Sequence, residues 1–212
     1  AAAIAAASAS VVVAADTSLI SPILAQLGSE YGFAANRGGL LVVSYSIAAA
    51  AAALVIGPLG DRRGHRGTLV AGVAIFALGS VASALARSLT TLAAARFVCG
   101  AGSGIVSLAI VAYVSVAVPY STRGRAMGIV QAGYLVALLA GVPLGALVAE
   151  KLGARALLLG LAALAALLFV ALLGLDAHPG RSKASPWRDL ASLLSERLPR
   201  FGARPDAEGD GQ

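Results

Sequence analysis

The chain has 212 residues, of which 58% are hydrophobic and 12% charged, and its mean hydropathy is +0.86. This composition excludes a soluble globular domain, because several apolar runs reach the roughly 18 residues that indicate a membrane-spanning helix. The formal net charge of +6 would by itself suit nucleic-acid binding. The basic residues, however, lie between and after the apolar runs, which indicates membrane topology, and we expect no nucleic-acid partner.

The residues that usually hold metals or cofactors are scarce. Cys99 is the one cysteine, and it lies within an apolar run, so neither a disulfide framework nor a metal cluster is expected. The glycines at 100–104 follow no predicted strand, which argues against a dinucleotide-binding loop. We therefore expect no metal site, no cofactor and no enzyme activity. The one methionine is Met127, so residue 1 is not expected to be the natural start.

The apolar runs predict an all-α, polytopic membrane protein with six transmembrane helices. To within about three residues, the spans are 4–27, 37–57, 68–87, 90–113, 126–149 and 153–175. Spans two and three are rich in alanine, which permits close helix approach but specifies no chemistry. Basic residues are more frequent in the turns that follow spans two and four, and after span six, than in the turns that follow spans one, three and five. This distribution predicts a multi-pass protein of the cell membrane with both termini in the cytoplasm.

Two charged residues lie within the spans, Asp16 near the middle of span one and Arg96 in span four. A charge at this depth is expensive unless it has a partner or a polar cavity. At ~1.5 Å of rise per residue, the depths of the two residues differ by ~7 Å, which an arginine side chain or a water molecule can bridge. We expect both to face one central cavity. The alternatives are that span one begins later, with Asp16 near water, and that Arg96 extends to the outer interface.

The segment 57–69 is the most densely charged part between two spans. Such a density cannot lie in hydrocarbon, so the sequence predicts a tight aqueous loop at 58–67. Its residues follow the order G-x-L-x-D-R-x-G-x-R-x-x-L, formed by Gly57, Leu59, Asp61, Arg62, Gly64, Arg66 and Leu69.

Small residues recur at helical spacing in spans four and five. Arg96, Gly100 and Gly104 share one face of span four, with Gly102 between the two glycines. In span five a stripe of small residues predicts tight packing against another helix. Pro143 interrupts this stripe and removes the backbone hydrogen bond to the Leu139 carbonyl. The stripe consists of Gly133, Ala137, Gly141 and Gly145.

These three motifs resemble those of the major facilitator superfamily of transporters. The segment 57–69 looks like that family's loop between the second and third helices. Span four resembles its L-x-x-x-R-x-x-Q-G-x-G motif, with Cys99 where glutamine is usual. Span five is similar in part to the exporter motif G-P-x-x-G-G, with Val142 intervening before Pro143. The resemblance is closest to the drug:proton antiporter and sugar-efflux-like branches.

The resemblance implies one half of a transporter built from two six-helix halves, with substrate bound between the halves. Residues 1–175 would be the N-terminal half, whose partners are the bilayer, a small-molecule substrate, protons and a missing C-terminal six-helix half. The implied function is secondary active transport, as proton-coupled efflux of drug- or sugar-like molecules. Asp16 and Arg96 would couple substrate to protons, and Asp61 would contact the opposite half. The alternatives are a proton-symporting importer and a six-helix scaffold or remnant that does not transport.

The last 37 residues differ in character from the spans. Ser185 and Pro186 are suited to begin a helix. Apolar residues then follow at helical spacing, which predicts an amphipathic helix on the inner membrane surface. The polar end, from Arg204, is expected to be disordered. The sequence therefore predicts a cytoplasmic linker at 176–212. The apolar residues are Trp187, Leu190, Leu194, Leu198 and Phe201.

Overall fold

The computed structural model describes residues 2–32, 35–63 and 65–174. Over this part the chain forms six helices and no strand, which confirms the all-α prediction. Five helices are long and apolar enough to cross a membrane, and α1 contains a shorter apolar segment, Ile4–Ile20. The predicted linker and surface helix at 176–212 lie outside the described residues. The helices are α1 (Ala2–Tyr31), α2 (Ala35–Arg63), α3 (His65–Leu85), α4 (Leu89–Ala117), α5 (Tyr120–Leu152) and α6 (Ala154–Leu173).

The helices extend further than the apolar runs. The prediction of a loop at 58–67 was wrong in extent, because α2 continues to Arg63 and α3 begins at His65. Likewise α5 begins at Tyr120, so Arg123 and Arg125 lie in its first turns rather than in a loop. The charges mark where a helix leaves the hydrocarbon. The backbone remains helical beyond that point, because a helix satisfies its hydrogen bonds internally.

Two apolar clusters form the core, and they lie at different levels of the bundle. Along α1, α3 and α4 the polar residues Asp16, Ser80, Ser83 and Arg96 fall between the members of one cluster and those of the other. A buried polar layer therefore separates two apolar layers. The first cluster includes Val12, Val73, Phe76, Cys99 and Val106, and the second includes Leu19, Ile23, Ala84, Leu92 and Leu157.

The principal helix contacts join α1 to α5, and α4 to both α2 and α3, while α6 packs on α3. Two glycines of α4 set its distance from α2. A Cβ at Gly100 would collide with the carbonyl oxygen of Tyr45, and one at Gly104 with that of Ala49. The residue numbers of these contacts rise together along the two helices, so α2 and α4 run in the same direction. The four-residue spacing of these glycines therefore makes a backbone-to-backbone contact.

The glycine between them serves the other neighbour of α4. A Cβ at Gly102 would collide with the backbone of Phe76 in α3. From the α3 side, a Cβ at Gly79 would meet the backbone nitrogen of Cys99 at 2.5 Å. These positions run in opposite order, so α3 and α4 are antiparallel. One short glycine-rich stretch thus allows two different helices to approach α4.

The small-residue stripe of α5 packs against α1. A Cβ at Gly141 would collide with the Ser18 hydroxyl, and one at Gly145 with the Leu19 side chain. The Ser10 hydroxyl of α1 also donates a hydrogen bond to the Val130 carbonyl of α5, at 3.1 Å. The helix continues through Pro143, which is exposed.

The antiparallel helices α3 and α6 are joined at both ends by arginines. Arg66, in the first turn of α3, donates from Nη2 to the Leu172 carbonyl at the end of α6, at 3.0 Å. Arg155, in the first turn of α6, donates from Nε to the Ala84 carbonyl at the end of α3, at 3.4 Å. Each arginine supplies a partner for a carbonyl in a last helical turn, where positive charge is favourable. We call these two bonds the α3–α6 arginine ties.

Replacing Gly100 or Gly104 with alanine should destabilise the bundle, because the added methyl overlaps a carbonyl of α2. Overpacking of this kind typically costs about 1–3 kcal/mol. The matched control is Gly160→Ala in α6, where a Cβ would meet nothing within 4 Å. Thermal unfolding of the detergent-purified chain, followed by size-exclusion chromatography, measures the difference. Equal melting temperatures for Gly100→Ala and Gly160→Ala would contradict the close approach.

Candidate functional site

The structure brings together the two charged residues that the sequence placed inside the spans. Arg96 of α4 donates from Nη1 to both carboxylate oxygens of Asp16 of α1, at 2.9 and 3.1 Å. The exposed fraction is 0% for Asp16 and 1% for Arg96. That both face one central cavity stays a prediction, since the direct bond accounts for their burial here. They face each other inside the six-helix bundle.

A serine of α3 completes the surroundings of Arg96. Nε and Nη2 of Arg96 each donate to the Ser83 hydroxyl oxygen, both at 3.2 Å. The hydroxyl donates its own hydrogen to the Gly79 carbonyl, at 2.8 Å. The guanidinium thus connects α1 and α3 from its place on α4. The alanine-rich composition of span three specified no chemistry, and Ser83 was missed, because the sequence carries no signal that separates it from the other serines of the span.

Cys99 lies one turn from Arg96 on the side that faces α3. Its Sγ is 3.7 Å from the Ser80 hydroxyl and 3.8 Å from the Ser83 hydroxyl. A thiol is a weak hydrogen-bond donor and acceptor. The thiol lies close to both serines, and within the described residues Arg96 donates its hydrogen bonds to the oxygen atoms of Ser83 and Asp16.

Burial decides the energetics of the Asp16–Arg96 pair. A charge removed from water loses several kcal/mol of hydration, and a partner at hydrogen-bond distance offsets most of that loss. The apolar clusters on either side keep the local dielectric low, which strengthens the attraction. Either charge alone would therefore be strongly unfavourable here. The arrangement holds the Asp16 carboxylate and the Arg96 guanidinium against each other, so the loss of either charge would weaken the contact between α1 and α4.

Two hydroxyl groups lie close to this pair, toward the surface of the six-helix bundle. Thr17 follows Asp16 in the chain and is exposed, and its hydroxyl lies 3.5 Å from that of Tyr45 in α2. Tyr45 is partly buried and belongs to the backbone contact between α2 and α4. Both hydroxyls are therefore close to the buried pair. Thr17 is the neighbour of Asp16 in the chain, and Tyr45 contacts Thr17.

The remaining motif residues lie elsewhere in the bundle. Arg66 forms one of the arginine ties, and Gly100, Gly102 and the α5 glycines form helix contacts. The backbone of 57–63 is helical, but the side chains of this segment lie outside the described part of the chain. Asp61 and Arg62 therefore remain sequence predictions, as does Gly64.

Comparison with known families identifies the fold. The sequence profile described as Major Facilitator Superfamily matches residues 6–205. The chain belongs to the Major Facilitator Superfamily. A D-xylose–proton symporter superposes with a TM-score of 0.77 at 19% sequence identity, covering 94% of this chain and 54% of that structure. The resemblance inferred from the three motifs is thereby confirmed.

Curated relatives include transporters with named cargo. The cephamycin export protein CmcT of Amycolatopsis lactamdurans is 36% identical over 68% of this chain and 30% of its own length. Multidrug resistance protein Stp of Mycobacterium tuberculosis is 35% identical over 60% of this chain and 24% of its own length. An uncharacterised MFS-type transporter of Bacillus subtilis, YwfA, is 32% identical over 61% of this chain. The matches span about a third or less of each of these relatives.

Removing one charge of the pair should destabilise the bundle more than removing both. Asp16→Asn or Arg96→Gln leaves a buried charge without its partner, which typically costs about 3–5 kcal/mol. The double variant leaves no such charge, so its loss should be smaller than the sum of the single losses. Melting temperatures of the four purified proteins measure this coupling. Additive losses would contradict a direct bond, and Glu150→Gln, at an exposed position of α5, is the control for a lost carboxylate.

Proposed function

We propose that this chain is the N-terminal half of a secondary active transporter that exports small molecules in exchange for protons. The observation that carries the proposal is the buried bond between Asp16 of α1 and Arg96 of α4. The chain belongs to a family of transporters, and it holds a carboxylate among its membrane-spanning helices. Together these two facts favour transport that is coupled to protons. Of the two acidic residues whose side chains the structure describes, Asp16 is buried and Glu150 is exposed.

The mechanism follows from what Arg96 contacts in each protonation state. With Asp16 ionised, Arg96 binds its carboxylate and holds α1 against α4. When Asp16 takes up a proton, the negative charge that attracts Arg96 disappears, so the two helices can separate more easily. A conformational change needs such a difference in interaction between two states. Substrate would bind near the hydroxyls of exposed Thr17 and partly buried Tyr45, and its entry would favour release of the proton from Asp16.

Export is favoured by the relatives, of which one is a cephamycin export protein and another a multidrug resistance protein. Import by proton symport is the second candidate. The D-xylose–proton symporter has the same fold, which is compatible with import. At 19% identity, this similarity carries no information on the cargo. A six-helix scaffold without transport would use the same ion pair for packing alone, and it would show no substrate-induced proton release.

The proposed partner is a second six-helix half. The chain covers about half of the solved structures that it resembles, namely 54% of the D-xylose–proton symporter. Helices α2 and α5 expose much of their apolar surface, which a second half and lipid would cover. We further propose that Asp61 contacts the second half at the cytoplasmic end of α2, and that 176–212 links the halves. The exposed residues include Val43, Ile47 and Leu54 of α2, and Val136, Leu139 and Leu144 of α5.

The proposed location is the cell membrane, with both termini in the cytoplasm. With Cys99 replaced by alanine, single cysteines at Gly64, Ser121 and Arg181 should react with an impermeant maleimide only from the cytoplasmic side. Cysteines at Gly28 and Gly153 should react from outside. The measurement is labelling of intact cells compared with inverted vesicles. Labelling of Gly64→Cys from outside would reverse the proposed orientation.

Asp16→Asn should abolish substrate-induced proton release, because an amide cannot exchange a proton at that position. The test uses the purified complete transporter, with a cephamycin and the cationic dye ethidium as probes and a pH indicator as readout. Asp61→Asn is the matched control, since it makes the same change at the end of α2. It should slow turnover in vesicles while leaving the proton released per bound probe unchanged. Parental proton release from Asp16→Asn would overturn the coupling role of Asp16.

A further inference from the structure

We propose that Ser83 of α3 is a positioning residue for the ion pair. It holds one edge of the Arg96 guanidinium and thereby directs Nη1 at Asp16. This geometry needs no assumption about transport. Its consequence for proton coupling rests on the proposed function of the pair.

The shape of the guanidinium explains how one hydroxyl can fix it. Nε and Nη2 lie along one edge of the planar group, and both donate to the Ser83 oxygen at 3.2 Å. Nη1 lies away from that edge and donates to both oxygens of Asp16. Because the group is planar and rigid, holding one edge also sets the direction of the remaining nitrogen. Rotation of the guanidinium would therefore break bonds on both sides at once.

The Ser83 hydroxyl is itself held in the orientation that this role requires. Its single hydrogen is directed at the Gly79 carbonyl, at 2.8 Å, and the oxygen retains two lone pairs. These lone pairs accept from Arg96. Ser83 is fully buried, so water does not compete for the oxygen. The neighbouring Cys99 thiol accepts hydrogen bonds too weakly to replace it.

The two sides of Arg96 differ in their response to protons. The bond to Asp16 depends on a charge that protonation removes, whereas the bonds to Ser83 involve a group that does not titrate in the physiological range. When Asp16 is protonated, its bond to Arg96 therefore weakens, whereas the bonds from Arg96 to Ser83 of α3 remain. Ser83 thus keeps Arg96 attached to α3 while the contact of α1 with α4 loosens.

Ser80 provides a matched control within the same helix. Like Ser83 it is buried, it donates to a carbonyl four residues earlier, that of Phe76, at 2.9 Å, and it lies close to the Cys99 sulfur at 3.7 Å. Among the described contacts it has no bond to Arg96. Ser80→Ala and Ser83→Ala therefore remove the same atoms from similar surroundings. They differ in whether Arg96 loses an acceptor.

The experiment measures hydrogen exchange of the Arg96 Nε–H by ¹⁵N NMR, with the 212-residue chain in lipid nanodiscs. The resonance is assigned by its loss in Arg96→Gln. Ser83→Ala should increase the exchange rate at least about tenfold, in line with the loss of a hydrogen bond to a charged group. Ser80→Ala should remain within about twofold of the parent, and Ser83→Thr, which keeps a hydroxyl, should restore slow exchange.

Equal exchange rates in Ser83→Ala and Ser80→Ala would overturn the proposal. If Ser83→Ala gives no folded protein, Ser83→Val and Ser83→Thr are compared, because the two side chains have the same shape and differ in the hydroxyl. Faster exchange with valine supports the positioning role, and equal exchange overturns it.

A second measurement separates this proposal from the proposed function. In the complete transporter, substrate-induced proton release with the ethidium probe should fall in Ser83→Ala and stay parental in Ser80→Ala. Accelerated exchange with unchanged proton release would leave Ser83 as the residue that positions Arg96. In that case the coupling role of the ion pair would fail instead. Unchanged exchange overturns the positioning role whatever the transport result.

Discussion

The buried ion pair between Asp16 and Arg96 is the interaction on which the arrangement of the six helices depends. It joins α1 to α4, and through Ser83 it reaches α3. Apolar contacts alone give little reason for helices to associate in lipid, because the acyl chains are as apolar as leucine. A polar layer between two apolar clusters adds directional bonds that only one register of the three helices can satisfy. The pair therefore specifies the arrangement as well as stabilising it.

Glycine has a complementary role at the other contacts. Where α4 meets α2, the carbonyls of Tyr45 and Ala49 lie against Gly100 and Gly104, and where α5 meets α1 the stripe accepts Ser18 and Leu19. Close backbone approach brings many atoms into dispersion contact without requiring a hydrophobic driving force. The polar layer sets the register, and the glycine faces allow the helices to come near enough for that layer to close.

Much of this could be predicted from the sequence, and the reasons for the failures are physical. Runs of apolar residues predicted six helices, because backbone polar groups in lipid permit little else. Helix ends were misplaced near Arg63 and Tyr120, since hydropathy reports the membrane boundary and not the end of hydrogen bonding. Helical rise predicted a difference in depth of ~7 Å between Asp16 and Arg96, which an arginine side chain can bridge, and the two are in direct contact. Ser83 was missed because a serine in an apolar span gives no sign of whether it bonds its own backbone or, as here, also a neighbour's guanidinium.

The arginine ties hold α3 and α6 together at both of their ends. Bonds at both ends, from Arg66 and Arg155, resist sliding and splaying of α3 against α6. On the other side of the bundle, α1 and α5 meet through the small-residue stripe and the Ser10–Val130 hydrogen bond. Arg96 of α4 connects the two sides, because it bonds to Ser83 of α3 and to Asp16 of α1. Loss of the Asp16–Arg96 bond would therefore weaken the attachment of the α1–α5 pair to the rest of the bundle, and a change at one carboxylate would shift two helices together.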